Sequence, residues 1–111
     1  MHVYNATAPV FRRVVFRHDP QETIALAVNA ATLIRDLAAE RPETQWRFQY
    51  SPEVFSQTEL EFARDICNSV LEVWQPTRDR KAIINLPATV ESATPNVFAD
   101  QVEWMHRHLA Y

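Results

Sequence analysis

Apolar residues recur along the chain with two periods, and together they predict three strands, each followed by a helix. The strands are short runs rich in β-branched and aromatic residues that end near a proline or a Thr-Pro pair. They are predicted at His2 to Ala6, Trp46 to Tyr50 and Lys81 to Leu86.

The first helix has a clear start signal. Asp19 stands before Pro20, with Glu22 three positions after the aspartate, which is typical of a capped helix N-terminus with proline in the first turn. Apolar residues then repeat at helical spacing, and they predict a buried face formed by Ile24, Val28, Ala31, Ile34 and Ala38.

Two further helices follow the second and third strands. The sequence Ser56-Gln57-Thr58-Glu59 has the form of a capping box and predicts a helix that runs to about Trp74, before Pro76. The third helix is predicted to begin at Thr94-Pro95. Its buried residues are expected to be Phe98, Val102, Met105 and Leu109.

Three strand–helix repeats indicate a parallel sheet. A doubly wound sheet would need a glycine-rich phosphate loop after its first strand, and this chain of 111 residues contains no glycine. A complete (βα) barrel has about 250 residues. The predicted fold class is therefore α/β, a partial (βα) barrel with three consecutive strand–helix units of the TIM type. Residues 1–111 are expected to be a fragment of a catalytic TIM-barrel domain with no second domain, forming homo-oligomers through exposed barrel edges.

Charge and cysteine content exclude several classes of partner. The net charge is −3 and the basic residues are scattered, so neither nucleic acid nor a membrane surface is an expected partner. No segment has the form of a signal peptide or a membrane span. The single cysteine, Cys67, lies in a helical apolar pattern and is expected to be buried. A soluble protein in the reducing cytoplasm is predicted.

Polar residues at the strand ends are the candidates for chemistry, because reacting groups of βα barrels lie at the C-terminal ends of the strands. Glu53 could accept or orient a proton, or it could only cap the next helix. Thr89 could bind a carboxylate through its hydroxyl or belong to an ordinary turn. The full set is Asn5 and Thr7, then Ser51 and Glu53, then Pro87, Thr89 and Glu91, with His2 within the first strand.

Two other motifs have simpler interpretations. His106 and His108 are two residues apart in a helix, so their side chains point to different faces and a solvated surface is predicted instead of a metal site. The basic segment RRVVFRH, residues 12–18, is interpreted as a loop beside the barrel.

Three segments resemble consecutive pieces of the α-isopropylmalate synthase family. They are HVYNAT, YSPEVFSQTELEFARDICNSVLEVWQPT and INLPATVESATPNVFADQVEWM, and the similarity extends over essentially all 111 residues. The resemblance implies a βα barrel that condenses acetyl-CoA with 2-oxoisovalerate in leucine biosynthesis. It also implies a divalent metal (Mg, Mn or Zn) that polarises the keto group.

The same resemblance implies roles for six residues. His2, Ser51 and Asn85 would surround the branched side chain of the oxo acid, Pro87 and Thr89 would lie against its other end, and Glu53 would be the acidic residue beside the reaction centre. The family holds its metal through an Arg-Asp pair and a His-x-His pair on other strands. No metal ligand is therefore expected in this chain, which is predicted to be inactive alone.

Two alternatives stay open on sequence grounds. One is a non-catalytic barrel fragment that acts as an interaction or assembly module through its open edges. The other is a related acyl-CoA and 2-oxo acid condensing enzyme, a homocitrate or citramalate synthase.

Overall fold

The computed structural model describes residues 1–15, 17 and 19–111. Within these residues, three strands alternate with three α-helices. These are β1 (His2–Ala6), α1 (Pro20–Ala39), β2 (Gln49–Glu53), α2 (Leu60–Trp74), β3 (Ile83–Ile84) and α3 (Pro95–His108), with a π-helical turn at Phe11–Val15 and a 3₁₀ turn at Phe55–Gln57.

The strands form one parallel sheet in the order β1-β2-β3. His2 pairs with Gln49 and Ala6 with Glu53 between β1 and β2, while Tyr50 pairs with Ile84 between β2 and β3. Consecutive strands are therefore neighbours and each connection carries a helix. This is the arrangement of three successive units of a (βα) barrel, as the sequence predicts.

The predicted position of β2 is wrong by three residues. The structure places β2 at Gln49–Glu53, so Ser51 and Glu53 lie within the strand and not after it. Pairing with β1 decides the bounds, since the five residues of β1 align with residues 49–53. Trp46 instead lies in the loop before β2, where its Nε1 donates to the carbonyl of Arg41.

The third strand is also shorter than its predicted span of residues 81–86. Hydrogen bonds along β2 alternate in direction, and the carbonyls of Phe48 and Tyr50 accept from β3. The next backbone N–H on that side would belong to Pro52, which has none. Pro87 lacks the N–H that would continue β3, so the ladder stops after Asn85.

The helix starts follow the sequence at two of three positions. Asp19 caps α1 by accepting from the Glu22 N–H, and Thr94 is the N-cap of α3. The predicted start of α2 at Ser56 is wrong, because Glu59 is the N-cap and α2 begins at Leu60. The Ser56 hydroxyl donates to the carbonyl of Val90 and does not cap a helix.

The core lies between the sheet and the helices, and it contains Tyr50, Phe55, Ile66, Val70 and Met105. Trp74 joins α2 to α1 through a hydrogen bond of 3.1 Å from Nε1 to the carbonyl of Ala31, and its ring stacks on Phe48. On the predicted face of α1, Ala31 and Ala38 are buried, whereas Ile24, Val28 and Ile34 are half-buried. On α3, Met105 is buried and Phe98 half-buried, whereas Val102 is 38% exposed and Leu109 follows the last helical residue.

Cys67 is fully buried, as its apolar setting predicts. Burial raises the pKa of its thiol to about 12. No helix in the described part of the chain combines the length and apolar character needed to cross a membrane.

Candidate functional site

The sheet face opposite the helices is polar and carries most of the predicted site residues. Side chains alternate between the two faces of a strand. Val3, Tyr50 and Ile84 pack in the core with the helices. The alternate positions His2, Tyr4, Ser51 and Glu53 therefore lie on the other face, which in a closed barrel is the interior.

Three predicted residues meet at one oxygen atom. The Ser51 Oγ lies 2.8 Å from His2 Nε2 and accepts a hydrogen bond of 3.0 Å from Asn85 Nδ2. Ser51 is fully buried, whereas His2 and Asn85 are exposed. This Ser51 cluster links all three strands, because each of its members comes from a different strand or strand end. Pro87 follows in the chain and is half-buried.

Glu53 and Thr89 form a second pair at the C-terminal end of the sheet. The Thr89 hydroxyl donates to Glu53 Oε2 at 2.9 Å and accepts from the Val54 N–H at 3.4 Å. Because the N-cap position of α2 is Glu59, Glu53 is not a helix cap. Thr89 likewise does more than complete a local turn, since both of its partners lie 35 or 36 residues away.

Val54, which follows Glu53, has a left-handed backbone with φ 58° and ψ 37°. This conformation is costly for a β-branched residue, and the surroundings must hold it. The Val54 carbonyl accepts from the Thr58 hydroxyl at 2.9 Å, and its N–H donates to Thr89. Nothing in the order of residues indicates this turn beyond the absence of glycine.

The candidates Asn5 and Thr7 lie away from this face. Asn5 Oδ1 accepts from the Tyr50 hydroxyl at 2.7 Å, on the helix side of the sheet. Burial raises the pKa of Tyr50, so this phenol remains a donor. Thr7 is buried and its hydroxyl bonds to Thr58 Oγ1 at 2.8 Å and to the Glu53 carbonyl at 3.1 Å. Both side chains hold β1 to β2 beneath the site.

The loop after β3 is fastened to the loop after β2. Ser56 Oγ donates to the Val90 carbonyl, and Ser92 Oγ donates to the Ser56 carbonyl at 3.0 Å. These bonds fix the loop that carries Thr89 and the exposed Glu91.

The basic segment contributes one buried anchor. Arg12 Nη2 donates to both carboxylate oxygens of Glu59, at 2.8 and 2.7 Å, and its guanidinium lies over the Phe62 ring. Burial alone would raise the pKa of Glu59, but the hydrogen bond and charge of Arg12 outweigh it and lower that pKa. The prediction of a plain loop is therefore wrong at Arg12, while Phe16 and His18 lie outside the described residues.

The described residues contain no group of three His, Cys, Asp or Glu side chains placed to hold a metal ion. His106 and His108 are exposed on α3, as predicted. The His108 ring stacks on Trp104, and its Nδ1 donates to the Trp104 carbonyl at 2.7 Å.

Comparison with known proteins decides the family. The sequence model of the HMGL-like family matches residues 1–110. The chain belongs to the HMGL-like family. HMGL-like proteins are TIM barrels, so the three parallel strands and their helices are part of a TIM-type barrel with an open sheet.

Curated relatives of this HMGL-like chain are similar over almost its whole length. It is 64% identical over 110 residues to 2-isopropylmalate synthase of Ralstonia pickettii (strain 12J), which covers 99% of this chain and 19% of the relative. It is 61% identical over 109 residues to 2-isopropylmalate synthase of Pseudomonas fluorescens (strain SBW25), covering 98% and 20%. The chain thus spans about a fifth of the length of these relatives.

Proposed function

We propose that this chain forms the 2-oxo acid-binding part of a 2-isopropylmalate synthase, which condenses acetyl-CoA with 2-oxoisovalerate. The observation that carries the proposal is the meeting of His2 and Asn85 at the Ser51 hydroxyl on the inner face of the sheet. The high identity to relatives of that name supports the same reaction. The condensation would take place in the cytoplasm. A reducing compartment of this kind is consistent with Cys67, a buried cysteine that forms no disulfide.

The Ser51 cluster offers polar atoms and a small buried hydroxyl to one end of the oxo acid. His2 and Asn85 are exposed on this face and are placed to contact a bound molecule. Pro87, which is half-buried, would supply an apolar surface against the other end of the oxo acid. In a largely apolar pocket, a few such groups fix the orientation of the ligand.

Glu53 and Thr89 would act at the other end of the substrate. The condensation removes a proton from the acetyl methyl group and joins that carbon to the keto carbon, whose oxygen takes up a proton to become a hydroxyl; water then cleaves the thioester and releases the thiol. One oxygen of Glu53 accepts from Thr89, which leaves Oε1 available as a proton acceptor. Thr89 can turn its hydroxyl to a substrate carboxylate only by releasing Glu53.

A divalent metal would supply Lewis-acid polarisation of the keto group in the complete enzyme. The described residues do not fit a metal site, since they contain no suitable group of ligands. We therefore assign no step through a metal to this chain.

A graft experiment tests the proposal. The chain would replace the 110 matching residues of the R. pickettii relative, and thiol release from acetyl-CoA would be measured with 2-oxoisovalerate, pyruvate and 2-oxoglutarate. We expect activity with a preference for 2-oxoisovalerate. A preference for pyruvate or 2-oxoglutarate would favour a citramalate or homocitrate synthase instead. An inactive graft, beside an active graft of the P. fluorescens segment, would contradict the proposal.

A second candidate function, assembly through the open sheet edges, is favoured by exposed apolar residues. Tyr4 on β1 is 65% exposed and Ile83 on β3 is 48% exposed. Homo-oligomers joined at these edges would bury both residues. Light scattering at micromolar concentration tests this candidate, and a strictly monomeric folded chain would exclude it.

A further inference from the structure

Hydrogen-bond direction around Ser51 determines which nitrogen of His2 carries a proton. We propose that Ser51 is a positioning residue that holds the neutral His2 ring as its Nδ1–H tautomer, with Nε2 as an acceptor. The evidence lies in three atoms of the Ser51 cluster: His2 Nε2, Ser51 Oγ and Asn85 Nδ2.

Asn85 determines the direction of the hydrogen bond between Ser51 and His2. An amide nitrogen can only donate, so the bond of 3.0 Å from Asn85 Nδ2 makes Ser51 Oγ an acceptor. The single proton of the Ser51 hydroxyl must then find another partner. Ser51 is fully buried, and a buried O–H without an acceptor is costly.

His2 Nε2 is that partner. It lies 2.8 Å from Ser51 Oγ, and among the described residues no other acceptor is hydrogen-bonded to this hydroxyl. If Nε2 carried a proton, as in the other tautomer or in the imidazolium ion, both His2 and Asn85 would donate to Ser51 Oγ, and the Ser51 proton would have no acceptor among the described residues. The neutral ring with its proton on Nδ1 satisfies all three groups.

The tautomer defines what His2 presents to a ligand. Its ring is exposed on the inner face, and within the described part of the chain its only hydrogen bond is made by Nε2. The free Nδ1–H is therefore a neutral donor, suited to a keto or carboxylate oxygen. This consequence rests on the proposed function, whereas the tautomer itself does not.

Nitrogen NMR of histidine tests the assignment directly. Ring ¹⁵N shifts distinguish protonated from unprotonated nitrogens, and the His2 signals are identified by their loss in His2→Gln. In the chain labelled with ¹⁵N-histidine at pH 8, we expect protonated Nδ1 and unprotonated Nε2. Finding Nε2–H or an imidazolium at this pH would overturn the proposal. Magic-angle-spinning spectra of the grafted synthase give the same readout in an assembled barrel.

Asn85→Asp provides the sharpest variant. Its carboxylate cannot donate and would accept the Ser51 proton, which leaves Ser51 Oγ free to accept from His2 Nε2–H. We expect the tautomer to invert. The matched control Asn96→Asp, on exposed α3 surface, should leave the His2 shifts unchanged. An unchanged tautomer in Asn85→Asp would contradict the role of Asn85.

Ser51→Ala removes the hydroxyl that donates to His2 Nε2. The neutral His2 ring should then be a mixture of the Nδ1–H and Nε2–H tautomers. Ser69→Ala on α2 is its control, because within the described residues the Ser69 hydroxyl donates only to the local carbonyl of Asp65. The amide spectrum of each variant shows whether it is folded. If the tautomer is as proposed but the graft prefers another oxo acid, only the proposed function fails.

Discussion

Thr89 donates a hydrogen bond of 2.9 Å to Glu53, although the two residues are 36 positions apart in the chain. The bond joins the end of β2 to the loop that follows β3. It fixes the direction of one carboxylate oxygen on the inner side of the sheet, and the other oxygen has no hydrogen bond within the described residues. Under the proposed function, this second oxygen would act as the proton acceptor.

Substitutions of Glu53 and Thr89 in the grafted synthase should distinguish proton transfer by Glu53 from the orientation of Glu53 by Thr89. We expect Glu53→Gln to lower kcat by about 10²-fold or more, because it removes the proton acceptor. Thr89→Ala should lower kcat/KM less, by roughly 10-fold, while Thr89→Ser should retain most activity. Thr44→Ala, at an exposed loop position, serves as the control. Equal activity of Glu53→Gln and the parent graft would rule out the role assigned to Glu53.

The buried hydroxyl of Thr58 should contribute measurably to stability. It bonds to Thr7 at 2.8 Å and to the Val54 carbonyl at 2.9 Å. Thr58→Val preserves the shape but leaves these partners unsatisfied, so the free energy of unfolding should fall by about 1–3 kcal/mol. Urea denaturation measures the loss. The exposed Thr44→Val should change stability by less than about 0.5 kcal/mol, and a similarly small effect at Thr58 would contradict the prediction.

The Arg12–Glu59 pair should make stability depend on pH in the acid range. The pKa of Glu59 is lowered from its ordinary value of 4.5, so its contribution is present above that value. It is lost as the pH falls through the lower pKa of the folded state. Glu59→Gln should therefore be less stable than the parent at pH 7, with the difference shrinking below pH 4.5.

Thermal unfolding between pH 7 and pH 3 measures this difference. Glu61→Gln is the matched control, since Glu61 is exposed in the first turn of the same helix. A difference between Glu59→Gln and the parent that stays constant across the whole range would show that the charge of Glu59 has no part in it.

Cys67 should report on the integrity of the fold. Its pKa of about 12 keeps the thiol protonated at pH 8, and full burial blocks reagents. We expect negligible reaction with a disulfide reagent in the folded chain and one thiol per chain in urea. Rapid stoichiometric labelling of the folded chain would mean that the core around α2 is open.

The sequence predicted the order of strands and helices because each element carries its own local signal. Asp19 before Pro20 and Thr94 before Pro95 mark helix starts by backbone chemistry alone. The bounds of β2 were not predicted, because pairing with residues 2–6 selects its members. Likewise, the capping-box pattern predicted a helix start at Ser56, but the Ser56 hydroxyl instead donates to the carbonyl of the distant Val90.

The candidate site was predicted as a set of residues but not as a geometry. His2, Ser51 and Asn85 come from three segments of the chain, and nothing local indicates that they meet at one oxygen. The partnership of Thr89 with Glu53 also depends on the parallel sheet, which brings both strand ends to one edge. Arg12 was missed as an anchor because its partner Glu59 is 47 residues away.

At Val54, a strained left-handed backbone and a buried, well-packed side chain occur at the same position. A change in the second base of its codon would give glycine, relieve the backbone and also remove a side chain that is 4% exposed. The relief of backbone strain and the loss of buried packing have opposite effects on the free energy of unfolding, and the greater freedom of glycine would also loosen Glu53 against Thr89. The residue retained at Val54 after directed evolution for heat resistance, compared with the residue retained under selection for turnover, would reveal which effect is larger.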